Sequence, residues 1–375
     1  MVLLIGNYRP DQWHSMLRFN QMMLDGLQAC GVEAQLIRPP AVFGRITIFG
    51  KGVAKWLGYV DKFVLFRRQL RRALAARPSV VHICDHSNAV YASAVQGSPL
   101  VITCHDLLAV RGALNEKTDS VPSRTGRILQ RWILRGLNRA DVVACVSSAT
   151  AADAQRLIPA RDGRPRLTVV ELGLNYPYHR LPTVLAAERL RPVRDLKPGG
   201  RFILHVGSNT PRKNREGLLR MVARCAERLD AQIVFAGEAL PEKLRQQAVE
   251  LNIADRIVEI VDPPTEVLEA LYSSAFAFLF PSRFEGFGWP VIEAQACGCP
   301  VVCSSIAPVG DIAGAGALQR EPQDEAGFAE DLLRLADPKE HQYWSEKALE
   351  NAARFSSARM IDKYREIYRT LAPAC

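Results

Sequence analysis

The chain has 375 residues, 48% of them hydrophobic and 23% charged, with nine cysteines and a formal net charge of +9. That length and composition suit an ordinary two-domain globular protein and exclude disordered and fibrous classes. No apolar run approaches the roughly 20 residues that span a bilayer, and the first five residues read as a strand rather than a leader, so a cytoplasmic protein is expected.

The charge is unevenly placed. Through Arg180, 24 Lys and Arg stand against 12 Asp and Glu, a net +12; the remainder has 24 against 27. Such asymmetry points to a localised contact with something anionic. The odd number of scattered cysteines predicts reduced thiols, and Cys297, Cys299 and Cys303, without a C-x-x-C pair, read as small core side chains rather than zinc ligands.

In chain order, nearly continuous apolar runs at 2–5, 32–37, 80–84, 100–104, 142–146 and 167–172 alternate with helical patterns, as parallel strands covered on both faces should. The first half is therefore read as a doubly wound α/β domain. The first strand leads into Gly6, with Ser15 ahead of the next helix. Residues 51–77 are basic and aromatic: Trp56, Tyr59, Phe63 and Phe66 alternate with Lys51, Lys55, Lys62, Arg67, Arg68, Arg71 and Arg72. This stretch is either a surface helix with its apolar stripe on the core or a helix lying on an anionic membrane surface. A second basic helix carries Arg127, Arg131, Arg135 and Arg139 at four-residue spacing, with Ile128, Trp132 and Ile133 as its apolar side.

Between these helices the strand at 100–104 ends in His105-Asp106, where the Asp can cap the next turn or orient the imidazole. Ser147 and Ser148 are placed to cap the following helix. Prolines and paired glycines mark a boundary, giving a first domain at 1–178, a linker at 179–200, a second domain at 201–355 and a last helix from 356.

The second half repeats the pattern, with strands at 202–206, 232–236, 257–261, 276–280 and 301–304. Its first strand ends in Gly207-Ser208-Asn209-Thr210-Pro211-Arg212-Lys213-Asn214. Asn214 makes a good helix cap, which puts Arg212 and Lys213 near a helix N-terminus at the carboxyl end of a strand, a place suited to a diphosphate. The other reading is two solvated cations. The strand at 276–280 runs into Pro281-Ser282, then Gly286-Phe287-Gly288, then a helix opened by Pro290 and closed by Gly298. The loop places Glu285 outside the helix and Glu293 on its first turn. Both carboxylates suit sugar hydroxyls; otherwise Glu293 is a helix-dipole residue and Glu285 a solvated one.

The strings GSNTPRKN at 207–214 and FPSRFEGFGWPVIEAQACGCPVV at 280–302 resemble the signature of retaining glycosyltransferases of family four, which have two Glu separated by seven residues. The resemblance implies the GT-B fold, two facing Rossmann-like domains with a cleft between them. It implies donor binding by Gly207, Arg212, Lys213, Glu285, Gly286, Phe287, Gly288 and Glu293, with the diphosphate on the two cations and the ribose on Glu293. VITCHDL at 101–107 is similar to the family's segment that brings a histidine beside the donor sugar, which implies His105 on the acceptor side with Asp106 orienting it. Family members usually have a glycine-rich first turn; Gly6 and Ser15 are what this chain offers there. The terminal helix would brace the first domain.

The implied reaction is metal-independent transfer from a nucleotide diphosphate sugar to a glycan or lipid-linked acceptor, in cell-surface glycan assembly at the inner face of the membrane. No cofactor and no metal ligands are expected, and no D-x-D occurs. A sugar-nucleotide epimerase on the same fold is an alternative, as is a basic nucleic-acid-binding protein, although no nucleic-acid module is recognisable. The segment 259–264 is expected near the base.

Overall fold

The computed structural model describes residues 1–11, 13–45, 51–120, 122–159 and 163–373, except the side chains of 51–55. The chain divides into two units, Met1–Asn175 with Ser356–Cys375, and Tyr176–Phe355.

The first unit holds a parallel sheet in the order β2-β1-β3-β4-β5-β6, built from β1 (Val2–Ile5), β2 (Ala34–Ile37), β3 (Val80–Ile83), β4 (Leu100–Cys104), β5 (Val142–Cys145) and β6 (Arg166–Val169). β1, β3, β4 and β5 are buried along their whole length, which is why their sequences are continuously apolar rather than alternating. The chain reverses its direction of travel across the sheet between β1 and β3. The loops after those strands therefore flank a topological switch point, where open α/β sheets bind ligands.

The last helix, Ser357–Leu371, belongs to this unit and buries Met360, Ile361, Tyr364, Ile367 and Tyr368. Its docking is polar as well as apolar. His82 on β3 bonds the Tyr368 hydroxyl at 2.7 Å and the Thr103 hydroxyl at 2.8 Å, and Thr103 bonds the Tyr364 hydroxyl at 2.7 Å. A Cβ at Gly26 would lie 2.6 Å from Ile361, so glycine sets the close approach of the helix His14–Ala29 to the last one.

The second unit repeats the arrangement in the order β12-β11-β10-β7-β8-β9, again all parallel. Its strands are β7 (Phe202–Gly207), β8 (Gln232–Gly237), β9 (Ile257–Val261), β10 (Ala277–Phe280), β11 (Val301–Ser304) and β12 (Ala317–Arg320). Here the switch point lies between β7 and β10, the two strands whose following loops carry the motifs. β12 was not foreseen: it is a four-residue edge strand whose second half, Gln319-Arg320, is polar and half-buried. Residues 179–200, read as a linker, contain the helix Thr183–Leu190. Its Ala186 packs with Leu181 on Ala270, and Arg189 pairs with the buried Glu269 at 2.6 Å. The prolines around it dominate the composition and hide an eight-residue helical run.

Candidate active site

At the second unit's switch point the loop after β7 turns through a short 3-10 helix, Pro211–Lys213, before the helix Arg215–Ala223. The turn directs both cations at one carboxylate. Arg212 reaches Glu285 Oε2 at 2.7 Å, and Lys213 Nζ reaches Glu285 Oε1 at 2.7 Å. Lys213 and Glu285 are 6% and 8% exposed, so neither is the solvated loop residue that its type alone would suggest. The Lys213 ammonium also sits 4.5 Å from the centre of the Phe280 ring. The backbone joins the two loops as well, since Arg283 N donates to Arg212 O at 2.7 Å.

The electrostatics follow from that packing. Burial pushes the Glu285 carboxyl up, but Lys213 and then Arg212 outweigh it and hold the group below the ordinary carboxylate value. Burial also pulls the Lys213 ammonium below its usual value, opposed chiefly by Glu285. Two cations against one acid leave a net positive charge beside a strand end, which is complementary to an oxyanion.

Asn214 does not cap the following helix through its side chain. It takes a left-handed conformation, φ 55°, and its amide donates to Pro281 O at 3.1 Å and Pro322 O at 3.3 Å, pinning the cationic turn to neighbouring loops. Arg215 is buried beneath this turn, a place that its residue type alone does not suggest. It donates to Gly207 O at 2.6 Å and Glu238 O at 3.0 Å. The only available signal was a third cation directly after Arg212-Lys213-Asn214.

The loop after β10 brings Phe287 inward against Trp289 and Phe355. Gly288, φ 108°, stands at the start of the helix Trp289–Ala296, with Pro290 in its first two positions. That φ strains any residue with a Cβ. Glu293 falls one residue beyond the first turn rather than on it, so the helix-dipole reading does not account for it. It is 5% exposed and accepts a 3.0 Å hydrogen bond from the Tyr272 hydroxyl. Tyr272 is wholly buried, and burial together with Glu293 raises its phenol well above the ordinary value. It therefore stays a donor and fixes the carboxylate. Nothing in the sequence around Tyr272 announces that role.

In the first unit His105 is 7% exposed. Its Nε2 donates to Cys84 O at 3.0 Å, and its ring meets Phe19 edge-on at 4.9 Å. Because a carbonyl only accepts, Nε2 carries the proton and Nδ1 the lone pair. Burial lowers the imidazole's pKa despite nearby Asp85, which favours the neutral form. Asp106 acts as a turn cap, its carboxylate accepting from Leu108 N at 3.0 Å; the ring's orientation comes from Cys84 and Phe19. Gly6 is required by packing, since a Cβ there would meet the Asn20 amide at 2.8 Å. Ser15 is exposed on the second residue of the helix His14–Ala29, which begins earlier than expected. Ser147 caps its helix as expected, accepting from Thr150 N.

The two basic helices meet. Phe63 stacks on Trp132 at 5.4 Å, Tyr59 lies tilted against Phe63, and Trp56 meets Tyr59 edge-on. The apolar residues divide between two roles: Phe66 is in the core, while Trp56, Val64 and Ile128 are 65%, 54% and 66% exposed. Arg67, Arg68, Arg71, Arg131 and Arg135 are exposed beside them, whereas Lys62 is committed to Asp11 at 2.6 Å. Lys51 and Lys55 lie outside the described side chains. A cavity of about 720 Å³, lined by residues including Asn7, Tyr59, Lys62, Ser87 and Leu129, opens among these helices and the loops after β1 and β3. Among the described residues no helix is long and apolar enough to cross a membrane, and no group of three or more His, Cys, Asp or Glu is arranged to hold a metal.

Two six-stranded parallel sheets, each with its polar residues gathered at a switch point, define an α/β two-domain fold of the GT-B type. The sucrose-phosphate synthase of Thermosynechococcus elongatus has this fold, with a TM-score of 0.78 at 19% identity over 100% of this chain and 99% of that one. So does the Anabaena HepE protein, solved with UDP and glucose, with a TM-score of 0.70 at 17% identity over 99% of each chain. Residues 187–351 match the family described as glycosyl transferases group 1, and residues 20–175 match glycosyltransferase family 4. Among characterised relatives, the D-inositol 3-phosphate glycosyltransferase of Corynebacterium efficiens is 31% identical over 283 residues, covering 72% of this chain and 65% of that protein. The chain spans 60% to 66% of the length of this and two similar relatives. The chain belongs to the group 1 glycosyltransferases.

Proposed function

We propose that the protein transfers a glycosyl group from a nucleoside diphosphate sugar to an acceptor hydroxyl, with retention of anomeric configuration and without a metal ion. The observation that carries this reading is the convergence of Arg212 and Lys213 on Glu285 at the β7–β10 switch point. Departure of a nucleoside diphosphate develops negative charge on the leaving oxygen and oxocarbenium character on the sugar. Two fixed cations in a largely buried site stabilise that charge without reorganising, a task that a metal ion performs elsewhere. Glu285 and the loop through Gly288 hold the donor sugar, and Glu293, oriented by Tyr272, holds the ribose. The UDP bound by the Anabaena protein supports a nucleotide donor.

His105 serves the acceptor side, with its neutral ring oriented by Cys84. The exposed aromatic and basic ridge of the first unit supports an amphiphilic glycan acceptor presented at an anionic membrane surface, as in cell-surface polysaccharide assembly.

The test is incubation with a panel of sugar nucleotides and bacterial glycolipid extract in EDTA, followed by NMR of the product. The expected product is a glycoside with the donor's anomeric configuration. Turnover only on adding Mn²⁺ or Mg²⁺ contradicts metal independence, and an epimerised sugar nucleotide without glycoside contradicts transfer.

A further inference from the structure

The carboxyl ends of β7, β8 and β9 lie side by side in register, Gly207 beside Gly237 and Gly237 beside Val261. The first two positions are bare backbone. Gly237 has φ 121°, and a Cβ there would lie 2.6 Å from Gly207 O, so both the conformation and the close approach exclude a side chain. Gly207 in turn abuts the Lys213 side chain, 3.1 Å from the position of a Cβ. A flat strip of backbone therefore runs from the cationic site across two strand spacings, about 10 Å.

Val261 and Asp262 close the strip. Val261 is 56% exposed at the end of its strand, an apolar surface on which a planar ring can lie. Asp262 has φ 45°, a left-handed conformation that a non-glycine residue adopts at some cost and that clusters at ligand clamps. It is held there by Asp262 N donating to Gly237 O at 3.0 Å, with Pro263 and Pro264 following. Three acids stand at this edge. Glu238 accepts from Asn209 N at 2.8 Å, and Glu259 accepts from Leu240 N at 2.7 Å and Arg245 at 2.9 Å. Among the described residues the Asp262 carboxylate has no partner.

We propose that Asp262 reads the base of the donor and selects guanine. This rests on the donor-binding reading above and names the base that reading leaves open. An ionised carboxylate only accepts. Guanine presents two adjacent donors on one edge, N1–H and the N2 amino group, which a carboxylate takes as a parallel pair. Uracil presents one N–H between two carbonyls, and each carbonyl would face a carboxylate oxygen. Adenine presents its amino group beside a ring acceptor.

The experiment is calorimetric titration of GDP, UDP and ADP into the wild-type chain, Asp262→Asn and Asp262→Gly. Asn is nearly isosteric, and Gly relieves the left-handed backbone while removing the carboxylate. The expected result is GDP binding at least about tenfold tighter than UDP or ADP, the lower end for a paired base contact, with both variants erasing the preference by weakening GDP while UDP binds no more weakly than to the wild type. Tighter UDP or ADP binding, or a GDP preference that survives both substitutions, overturns the proposal. Failure of every nucleotide to bind overturns the donor-binding reading itself.

Discussion

The two units share one plan, six parallel strands with a reversal of order, yet they furnish their strand ends with opposite chemistry. The second unit gathers charge: Arg212 and Lys213 are each held within hydrogen-bonding distance of Glu285, and Glu293 lies on the next helix. The first unit presents a neutral imidazole, His105, whose charged form burial disfavours. Fixed opposing charges suit a ligand whose own charge grows during reaction, whereas a neutral donor–acceptor ring suits a hydroxyl. A shared topology places the residues, and the local charge balance decides what each place can bind.

The largest expected effect breaks the charged side. Lys213→Ala or Arg212→Ala should lower turnover by about 100-fold or more, in the range seen when an electrostatic stabiliser of a transition state is removed, as measured by nucleoside diphosphate release. Glu285→Ala, by contrast, leaves a buried ammonium without its acid and should cost about 3 kcal/mol of stability, read by urea denaturation. Unchanged stability would mean that the ion pair opens to solvent.

On the neutral side, His105→Ala should slow transfer by about 100-fold, in the range of general acid–base and positioning roles, while donor affinity stays within experimental error. Weakened donor binding would instead place His105 with the charged site.

A smaller effect sharpens the comparison through pH. His82 in the first unit and His205 in the second are wholly buried, and burial lowers each from 6.5 to about 3. The folded state thus holds neutral rings that the unfolded chain protonates. The stability they confer is complete above pH 6.5 and is lost as pH falls toward 3, by about 1.4 kcal/mol per pH unit for each ring. His82→Gln should reduce the acid sensitivity of the first unit alone, as followed by urea denaturation at pH 7, 5.5 and 4.5.

The smallest effect is at Asp106. Because its carboxylate caps the turn at Leu108, Asp106→Ala should cost about 1 kcal/mol of stability and change turnover by less than about threefold. A large kinetic loss would restore the orienting role expected from sequence.

The inner strands of both units are legible because burial on both faces leaves an unmistakable apolar run, whereas the half-polar edge strand β12 leaves none; the loops at 207–214 and 280–288 are legible through their resemblance to the family's motifs, because their residue types alone fit solvated loops equally well. What escaped depended on contacts distant in the chain. Asn214 was read as a cap because Asn is a common capping residue; its left-handed backbone and its bonds to Pro281 and Pro322 come from loops that the local sequence does not contain. Tyr272 meets Glu293 from another helix. Asp106 could be read either way, and only the position of the Leu108 N–H decides between a cap and an orienting acid. Glu293 was placed one residue too early because the helix begins at Trp289, a boundary set by Gly288.

The central claim is that Arg212 and Lys213 together form a diphosphate site. Its most direct test compares the affinities of a nucleoside diphosphate and the matching monophosphate for the wild-type chain and for Arg212→Met. The diphosphate should bind more tightly to the wild type and lose most of that advantage in the variant, while monophosphate binding barely changes. An undiminished preference for the diphosphate in Arg212→Met would contradict it.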